Sequence, residues 1–131
     1  MVLLQRYDKA YFVLGRTLLG LYFLVPGLSK IAGYSGTLDL MVSKQVPLSE
    51  ILLPITIFVQ IGGGVLLIAG RHLRLSALVL AGLTLVINVY IHNFWSLSGD
   101  PSQAHETQNF IKNLAIMAGL LVLATKEQQP Q

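Results

Sequence analysis

Residues 88–113, NVYIHNFWSLSGDPSQAHETQNFIKN, form a long polar stretch between two apolar runs. The run before it, residues 75–87, and the run after it, residues 114–125, are each apolar enough to lie in a membrane. Two apolar helices therefore reach the same side of a membrane here, and each carries polar side chains inward from that side. Because polar side chains at membrane depth are costly, their default interpretation is functional. The stretch predicts a pair of membrane helices with a candidate site at their polar ends.

The composition of the whole chain is that of a membrane protein. Of its 131 residues, 53% are hydrophobic and only 11% are charged, and the mean hydropathy is +0.65. These values are too apolar for a soluble domain of this size. The absence of cysteine excludes dithiol relays, disulfides, iron–sulfur ligation and c-type haem attachment. The basic residues flank apolar segments, so anionic lipid headgroups, and not nucleic acid, are the expected partners of the +3 net charge.

The hydropathy pattern divides the chain into four predicted spans. Each matches the ~20 residues that a helix needs to cross the hydrocarbon core. We therefore predict an all-α fold, an integral membrane four-helix bundle, as a single transmembrane domain over residues 1–131. The spans are expected at about residues 11–32, 48–70, 75–95 and 109–125, followed by a polar tail, residues 126–131.

Details between and within the spans lead to three further expectations. The connection at residues 33–47 contains LDLMV, which is either a short interfacial helix or a loop on the membrane surface. Gln60 lies near the middle of the second span and is expected to be buried and hydrogen-bonded to another helix. Ala77 with Ala81, and Ala115 with Gly119, form small-xxx-small pairs, which are typical of close helix approaches.

Lysine and arginine are distributed unequally between the two sides of the predicted bundle. One side collects Arg6, Lys9, Arg71, Arg74 and Lys126, with Arg16 just inside it. The other side carries Lys30, Lys44 and Lys112 mixed with Asp39, Glu50, Asp100 and Glu106. The positive-inside rule therefore predicts that both termini are cytoplasmic and that the connections 33–47 and 96–108 face outward.

This topology brings polar residues of three spans to a similar depth in the outer leaflet. They are Lys30, Asn88, His92, Gln108, Lys112 and Asn113. Asn88 and His92 are four residues apart, so they share one face of the third span. The alternatives are structural: Lys30 snorkels to lipid headgroups, and His92 is a helix-terminal imidazole at the interface.

Lys112 is the candidate that a structural role explains least. It lies in the first turn of the last span, where the helix macrodipole disfavours a cation. We therefore expect an anionic partner, with Asp39, Glu50 and Glu106 as protein candidates, or an anionic or electron-rich ligand. We further expect Lys30, His92 and Lys112 to line one pocket that opens to the outer leaflet.

No metal site and no nucleotide site is expected. His92 and His105 are the histidines on the outer side, and neither belongs to a pair with metal-ligand spacing. No glycine-rich phosphate loop follows a strand pattern.

Several sequence pieces spread over nearly the whole chain occur in the order and spacing of a known family. They are Gly15-Arg16 with residues 18–30 (LLGLYFLVPGLSK), residues 60–70 (QIGGGVLLIAG) before a basic turn, residues 92–95 (HNFW), and Gln108 with Lys112-Asn113 at the start of the last span. Taken together, the chain resembles the DoxX family of small four-helix membrane proteins.

The resemblance implies a four-helix bundle in the bacterial cytoplasmic (inner) membrane. Some members of the family are associated with quinone-linked oxidation of sulfur compounds. The resemblance also singles out the positions of this chain that match the family motif: Arg16, Lys30, His92, Lys112 and Asn113. Gln60 stands where the family often has glutamate, so the resemblance does not extend a proton-carrying role to this position.

Two functions compete at this point. In the first, the chain is a quinone-binding or quinone-linked membrane subunit of an oxidoreductase complex, with Lys30, His92 and Lys112 as donors to the quinone and Asn88 and Asn113 as orienting groups. Electrons then come from a partner, which is another redox or membrane protein subunit. The alternative is a non-catalytic scaffold or assembly factor that docks a partner through its outer loops; a homo-oligomer is a further possible assembly. Whether the chain is itself an enzyme is left open, and a transporter is disfavoured because paired broken helices are not repeated.

Overall fold

The computed structural model describes residues 2–126 and is helical wherever it has regular structure. Its elements are α1 (Val2–Gln5), α2 (Asp8–Ala32), α3 (Tyr34–Ser43), α4 (Ser49–Ala69), α5 (Leu73–Tyr90), a 3-10 turn (Phe94–Ser96) and α6 (Gln103–Ala124). Within residues 2–126, four stretches are long and apolar enough to cross a membrane: α2, α4, α6, and α5 continued to Ser96. The predicted all-α membrane bundle is confirmed. All but the first residue of the predicted polar tail lies outside the described residues.

The four long helices are arranged as two tightly packed pairs. α2 packs mainly against α4, and α5 packs mainly against α6, while α4 and α5 join the pairs. The core contains Phe23, Leu67, Leu73, Ala77, Leu80, Ala81, Leu120, Leu123 and Ala124. Apolar side chains also cover the outer faces, as at Phe58 and Val122, which are 77% and 71% exposed. Such faces suit lipid and not water, as expected of spanning helices.

The backbones of α2 and α4 touch at two glycines. A Cβ atom at Gly20 would lie 2.6 Å from the carbonyl oxygen of Gly64, and one at Gly64 would lie 2.7 Å from the carbonyl oxygen of Gly20. Neither helix can therefore carry a side chain at this crossing. Of the predicted small-residue pairs, Ala77 and Ala81 are buried in α5, whereas Ala115 is exposed on α6 and lies outside the packed interfaces.

The short turn between α4 and α5 defines one end of the bundle, which we call the turn end. It consists of Gly70, Arg71 and His72, and Gly70 and His72 have φ of 76° and 49°. Glycine adopts this left-handed backbone readily and commonly ends helices in this way. The opposite end, where α2 and α5 finish and α4 and α6 begin, is the site end.

Two arginines cap helices at the turn end. Arg16 Nε donates to the carbonyl oxygen of Leu67 at 3.1 Å, and Arg74 Nε donates to that of Ala124 at 2.9 Å. The last carbonyls of a helix lack intrahelical partners, and the macrodipole there attracts a cation. Arg16, one of the positions that the family resemblance singles out, therefore closes the end of α4.

In the connection at residues 33–47, the structure selects the helical alternative. α3 occupies Tyr34–Ser43 and has no fully buried residue. It contacts α4 and, less extensively, α2. α3 thus lies across the site end of these two helices.

Candidate functional site

A cavity of about 760 Å³ lies toward the site end of the bundle. Its wall comes from α2, α3, α4 and α5, and is mainly aliphatic, with residues such as Val25, Leu53 and Leu83. The polar and aromatic side chains on the wall are Ser29, Lys30, Thr37, Thr56, Tyr90 and His92. Cavities of ~300–1,000 Å³ with apolar walls and a few polar groups are typical of small-molecule sites.

The polarity of the cavity is graded from one end to the other. Lys30 lies in the last turn of α2, and His92 follows directly after the end of α5 at Tyr90. Val59 and Val79 lie further along their helices toward the turn end. The cavity therefore has an apolar part toward the turn end, and its site end, which we call its mouth, carries an ammonium and an imidazole.

Lys30 is partly buried in the cavity wall. Among residues 2–126 the one contact within 4.0 Å between a basic and an acidic side chain joins His92 and Glu106, so no described carboxylate lies within 4.0 Å of the Lys30 ammonium. Its place in the last turn of α2 suits a cation because the macrodipole is negative there. The Lys30 ammonium thus lies at the mouth of the cavity and donates to no described carboxylate.

The contact between His92 and Glu106 is a short hydrogen bond. Nδ1 of His92 lies 2.6 Å from Oε2 of Glu106, and the two side chains are 20% and 19% exposed. Glu106 lies in the first turn of α6, where the macrodipole favours a carboxylate. The sequence suggested Glu106 only as a partner for Lys112. Its contact with His92 links the cavity wall to α6, which otherwise does not line the cavity.

Asn88 and Asn113 form a buried hydrogen-bond chain behind the cavity wall. Tyr22 Oη donates to Asn113 Oδ1 at 2.6 Å, Asn113 Nδ2 donates to Asn88 Oδ1 at 3.0 Å, and Asn88 Nδ2 donates to the Phe110 carbonyl at 3.1 Å. Asn88 is 0% exposed and Asn113 is 4% exposed. The chain ties α2, α5 and α6 together. Neither amide lines the cavity, so the geometry gives both a structural role here.

Lys112 lies apart from Lys30 and His92. It is exposed on α6 and is not part of the cavity wall. Its Nζ lies 5.9 Å from the centre of the Tyr22 ring, a cation–π distance. Asn113, the next residue, faces inward; successive helical residues diverge by about 100°, so Lys112 faces elsewhere. The pocket expected for three residues therefore contains two, and the aromatic face of Tyr22 takes the place of the expected carboxylate.

Gln60 is buried as expected, but the predicted hydrogen bond does not form through its carbonyl oxygen. The residue is 4% exposed, and Oε1 has no hydrogen-bond partner among residues 2–126. It packs against α2, where a Cβ atom at Gly27 would lie 3.1 Å from Gln60 Cβ. Gln60 does not line the cavity and is therefore not a contact residue of this site.

The connection between α5 and α6 is anchored at both of its ends. Phe94, Trp95 and Phe110 pack edge to face with ring centroids 5.4–5.6 Å apart. Asp100 Oδ1 accepts hydrogen bonds from the backbone N–H and the hydroxyl of Ser102, both at 2.8 Å. The backbone bond, followed by the hydroxyl bond, holds the pKa of Asp100 below its usual range. These contacts fix the start of α6 and thereby the position of Glu106.

Comparison with known proteins yields one family and two curated relatives. The DoxX family model matches residues 11–93. Inner membrane protein YqjF of Escherichia coli (strain K12) is 31% identical over 121 residues, which cover 92% of this chain and 87% of that protein. Inner membrane protein YphA of the same organism is 28% identical over 112 residues, covering 86% of this chain and 79% of that protein. No solved structure matches the chain significantly.

Proposed function

The chain belongs to the DoxX family and is a multi-pass inner membrane protein, and from this premise we propose that it binds a quinone as a membrane subunit of an oxidoreductase complex. The observation that carries the proposal is the apolar cavity with Lys30 and His92 at its mouth. Quinone carbonyls accept hydrogen bonds, and both side chains are able to donate them. The partner subunit in this proposal supplies the electrons.

The cavity fits the two parts of such a ligand. Its mouth offers polar groups for a headgroup, and its aliphatic depth suits an isoprenoid tail. Three wall residues keep about half of their surface accessible: Val25, Ile55 and Val86 are 54%, 51% and 51% exposed. In this proposal the tail leaves the cavity between the helices that carry them and enters the lipid. When bound, a quinone would supply reversible redox chemistry, and the residues of this chain would hold and orient its headgroup.

Removing either polar group at the mouth is expected to deplete the bound quinone. Hydrogen bonds from charged donors contribute ~1.5–3 kcal/mol, so Lys30→Met should lower quinone affinity by about tenfold or more. His92→Phe keeps an aromatic ring and should act in the same direction. The measurement is the quinone content of the purified protein, by extraction and chromatography, in membranes with limiting quinone.

Lys112→Met is the matched control, because it removes an ammonium that lies outside the cavity. It should keep the quinone content of the unchanged protein. Equal losses in all three variants would contradict the assignment of the cavity. A protein that carries no quinone but co-purifies with a stoichiometric partner would favour the alternative, a non-catalytic scaffold or assembly factor.

We also propose that the turn end faces the cytoplasm and the site end faces outward. The excess of arginine and lysine at the turn end supports this orientation. The chain has no cysteine, so single cysteines at the exposed positions Gln5 and Ser98 report on one side each. In intact spheroplasts, a membrane-impermeant thiol reagent should label Ser98→Cys and leave Gln5→Cys unlabelled. The reverse pattern would invert the bundle and turn the cavity mouth toward the cytoplasm.

A further inference from the structure

The contact between His92 and Glu106 fixes which atom of His92 can act on the cavity. We propose that Glu106 is a positioning residue that makes Nε2 of His92 the proton-exchanging atom of the site. The inference rests on the proposed quinone function, which it extends to the proton chemistry of the headgroup. Its geometric basis is the 2.6 Å distance from His92 Nδ1 to Glu106 Oε2, together with the place of His92 on the cavity wall.

The chemistry follows from the two nitrogens of the imidazole. A carboxylate accepts hydrogen bonds, so Nδ1 carries a proton toward Glu106 whether the ring is neutral or charged. Nε2 makes no hydrogen bond within residues 2–126. Only Nε2 therefore changes state: it is an acceptor in the neutral ring and a donor in the charged ring. The orientation of the ring is the same in both states.

This arrangement suits a headgroup that alternates between carbonyl and hydroxyl. Beside a headgroup hydroxyl, Nε2 of neutral His92 would accept the proton: the O–H bond would break, the N–H bond would form, and the electron pair would stay on the headgroup oxygen. Beside a headgroup oxygen reduced by the partner's electrons, Nε2 of charged His92 would return the proton, so that the N–H bond breaks and the O–H bond forms. Lys30, on the same wall, remains a donor throughout. The site thus combines one constant donor with one group that switches.

Of the titratable groups around His92, only Glu106 can orient its imidazole as a carboxylate partner. Lys30 and Tyr90 share the cavity wall with His92, and Lys44 Nζ contacts Asn93 Oδ1 at 3.4 Å. Among the described residues, Glu106 is the one carboxylate within 4.0 Å of an imidazole nitrogen of His92. It stands outside the cavity wall, on α6, so it acts on a ligand through His92 and not directly.

The tautomer of His92 tests the proposal in the protein without added quinone. His72→Asn and His105→Gln leave His92 as the only histidine of the chain, and asparagine tolerates the positive φ at residue 72. Nitrogen-15 NMR of the labelled protein in micelles, at a pH where the ring is neutral, reports which nitrogen bears the proton. The Nδ1–H form should predominate. Glu106→Leu should reverse this to the Nε2–H form, which a free imidazole side chain favours.

Glu106→Gln and Glu50→Leu complete the design. An amide oxygen still accepts a hydrogen bond from Nδ1, so Glu106→Gln should retain the Nδ1–H form without the charge. Glu50→Leu removes a carboxylate from an exposed position in the first turn of α4 and should change nothing at His92. A predominant Nε2–H form in the parent, or an unchanged tautomer in Glu106→Leu, would overturn the inference.

Quinone content separates this inference from the function on which it rests. A fixed Nδ1–H tautomer in a protein that never retains quinone leaves the positioning intact, refutes the quinone site and, with it, the assignment of Nε2 to quinone protons. If the protein retains quinone but the His92 tautomer is the same in the parent and in Glu106→Leu, the quinone site stands and the positioning role of Glu106 is refuted.

Discussion

Replacing Gly64 by alanine is expected to lower the free energy of unfolding by about 3 kcal/mol, the upper part of the usual range for overpacking. The added Cβ atom would meet the carbonyl oxygen of Gly20 at 2.7 Å and the backbone nitrogen of Leu24 at 2.9 Å. Both are backbone atoms of α2, so no side-chain rotation relieves the contact. α2 and α4 must therefore move apart, and this separation weakens the packing along their shared face.

Gly62→Ala is the matched control for this prediction. A Cβ atom at Gly62, two residues earlier on α4, would meet nothing within 4 Å. Alanine also forms helices more readily than glycine, so no loss of stability is expected. Steric-trap unfolding in bicelles measures both variants. Similar stabilities for the two would show that the Gly20–Gly64 crossing does not limit the approach of α2 and α4.

Asn88→Leu is expected to destabilise the bundle by about 2 kcal/mol. The change removes the acceptor of Asn113 Nδ2 and the donor to the Phe110 carbonyl. A buried polar group left without its partner costs ~1–3 kcal/mol, while interhelical hydrogen bonds in membranes contribute ~0.6 kcal/mol on average. Because Asn88 is 0% exposed, its replacement both loses an interhelical hydrogen bond and leaves its former partners without water to replace it.

Gln60→Leu provides the comparison, because it also replaces a buried amide by leucine. Gln60 is 4% exposed, and its carbonyl oxygen has no partner among the described residues. Removing an unpaired buried amide should leave stability unchanged or raise it. The same unfolding assay measures both variants. If Gln60→Leu were the more damaging of the two, the interior chain from Tyr22 to Phe110 would not be the polar contact that holds the helices together.

From the sequence, the ends of the helices are easier to locate than the direction of a side chain around its helix. Hydropathy and charge locate the ends of the spans, and Lys30 and His92, both expected near the same end, both line the cavity. Lys112 lies beside Asn113 in the chain, yet one faces Tyr22 from an exposed position and the other is buried. In a soluble helix the polar face identifies the outside. In a membrane helix lipid and core are both apolar, and this signal is lost.

Other features depended on contacts between distant segments. The sequence offers Glu106 as a partner for Lys112, but six residues correspond to about 600° of helical rotation, which sets the two side chains about 120° apart. A signal was nevertheless present, since an acidic residue lies between His92 and the predicted span 109–125. The sequence gives no comparable signal for the contribution of α3 to the cavity or for the Gly20–Gly64 crossing. Neither a connecting segment nor a single glycine indicates which distant residues it contacts.

The turn at Gly70–His72 has a consequence for how the protein enters its membrane. Three residues at full stretch reach about 10 Å, about a third of the ~30 Å hydrocarbon core. The end of α4 and the start of α5 must then stay on one side of the bilayer at every stage after both helices have inserted. Neither helix can reverse its orientation alone, so the orientation of one helix in the membrane determines that of the other. Arg71, in this turn, and Arg74, in the first turn of α5, bias both helices at once toward the same side.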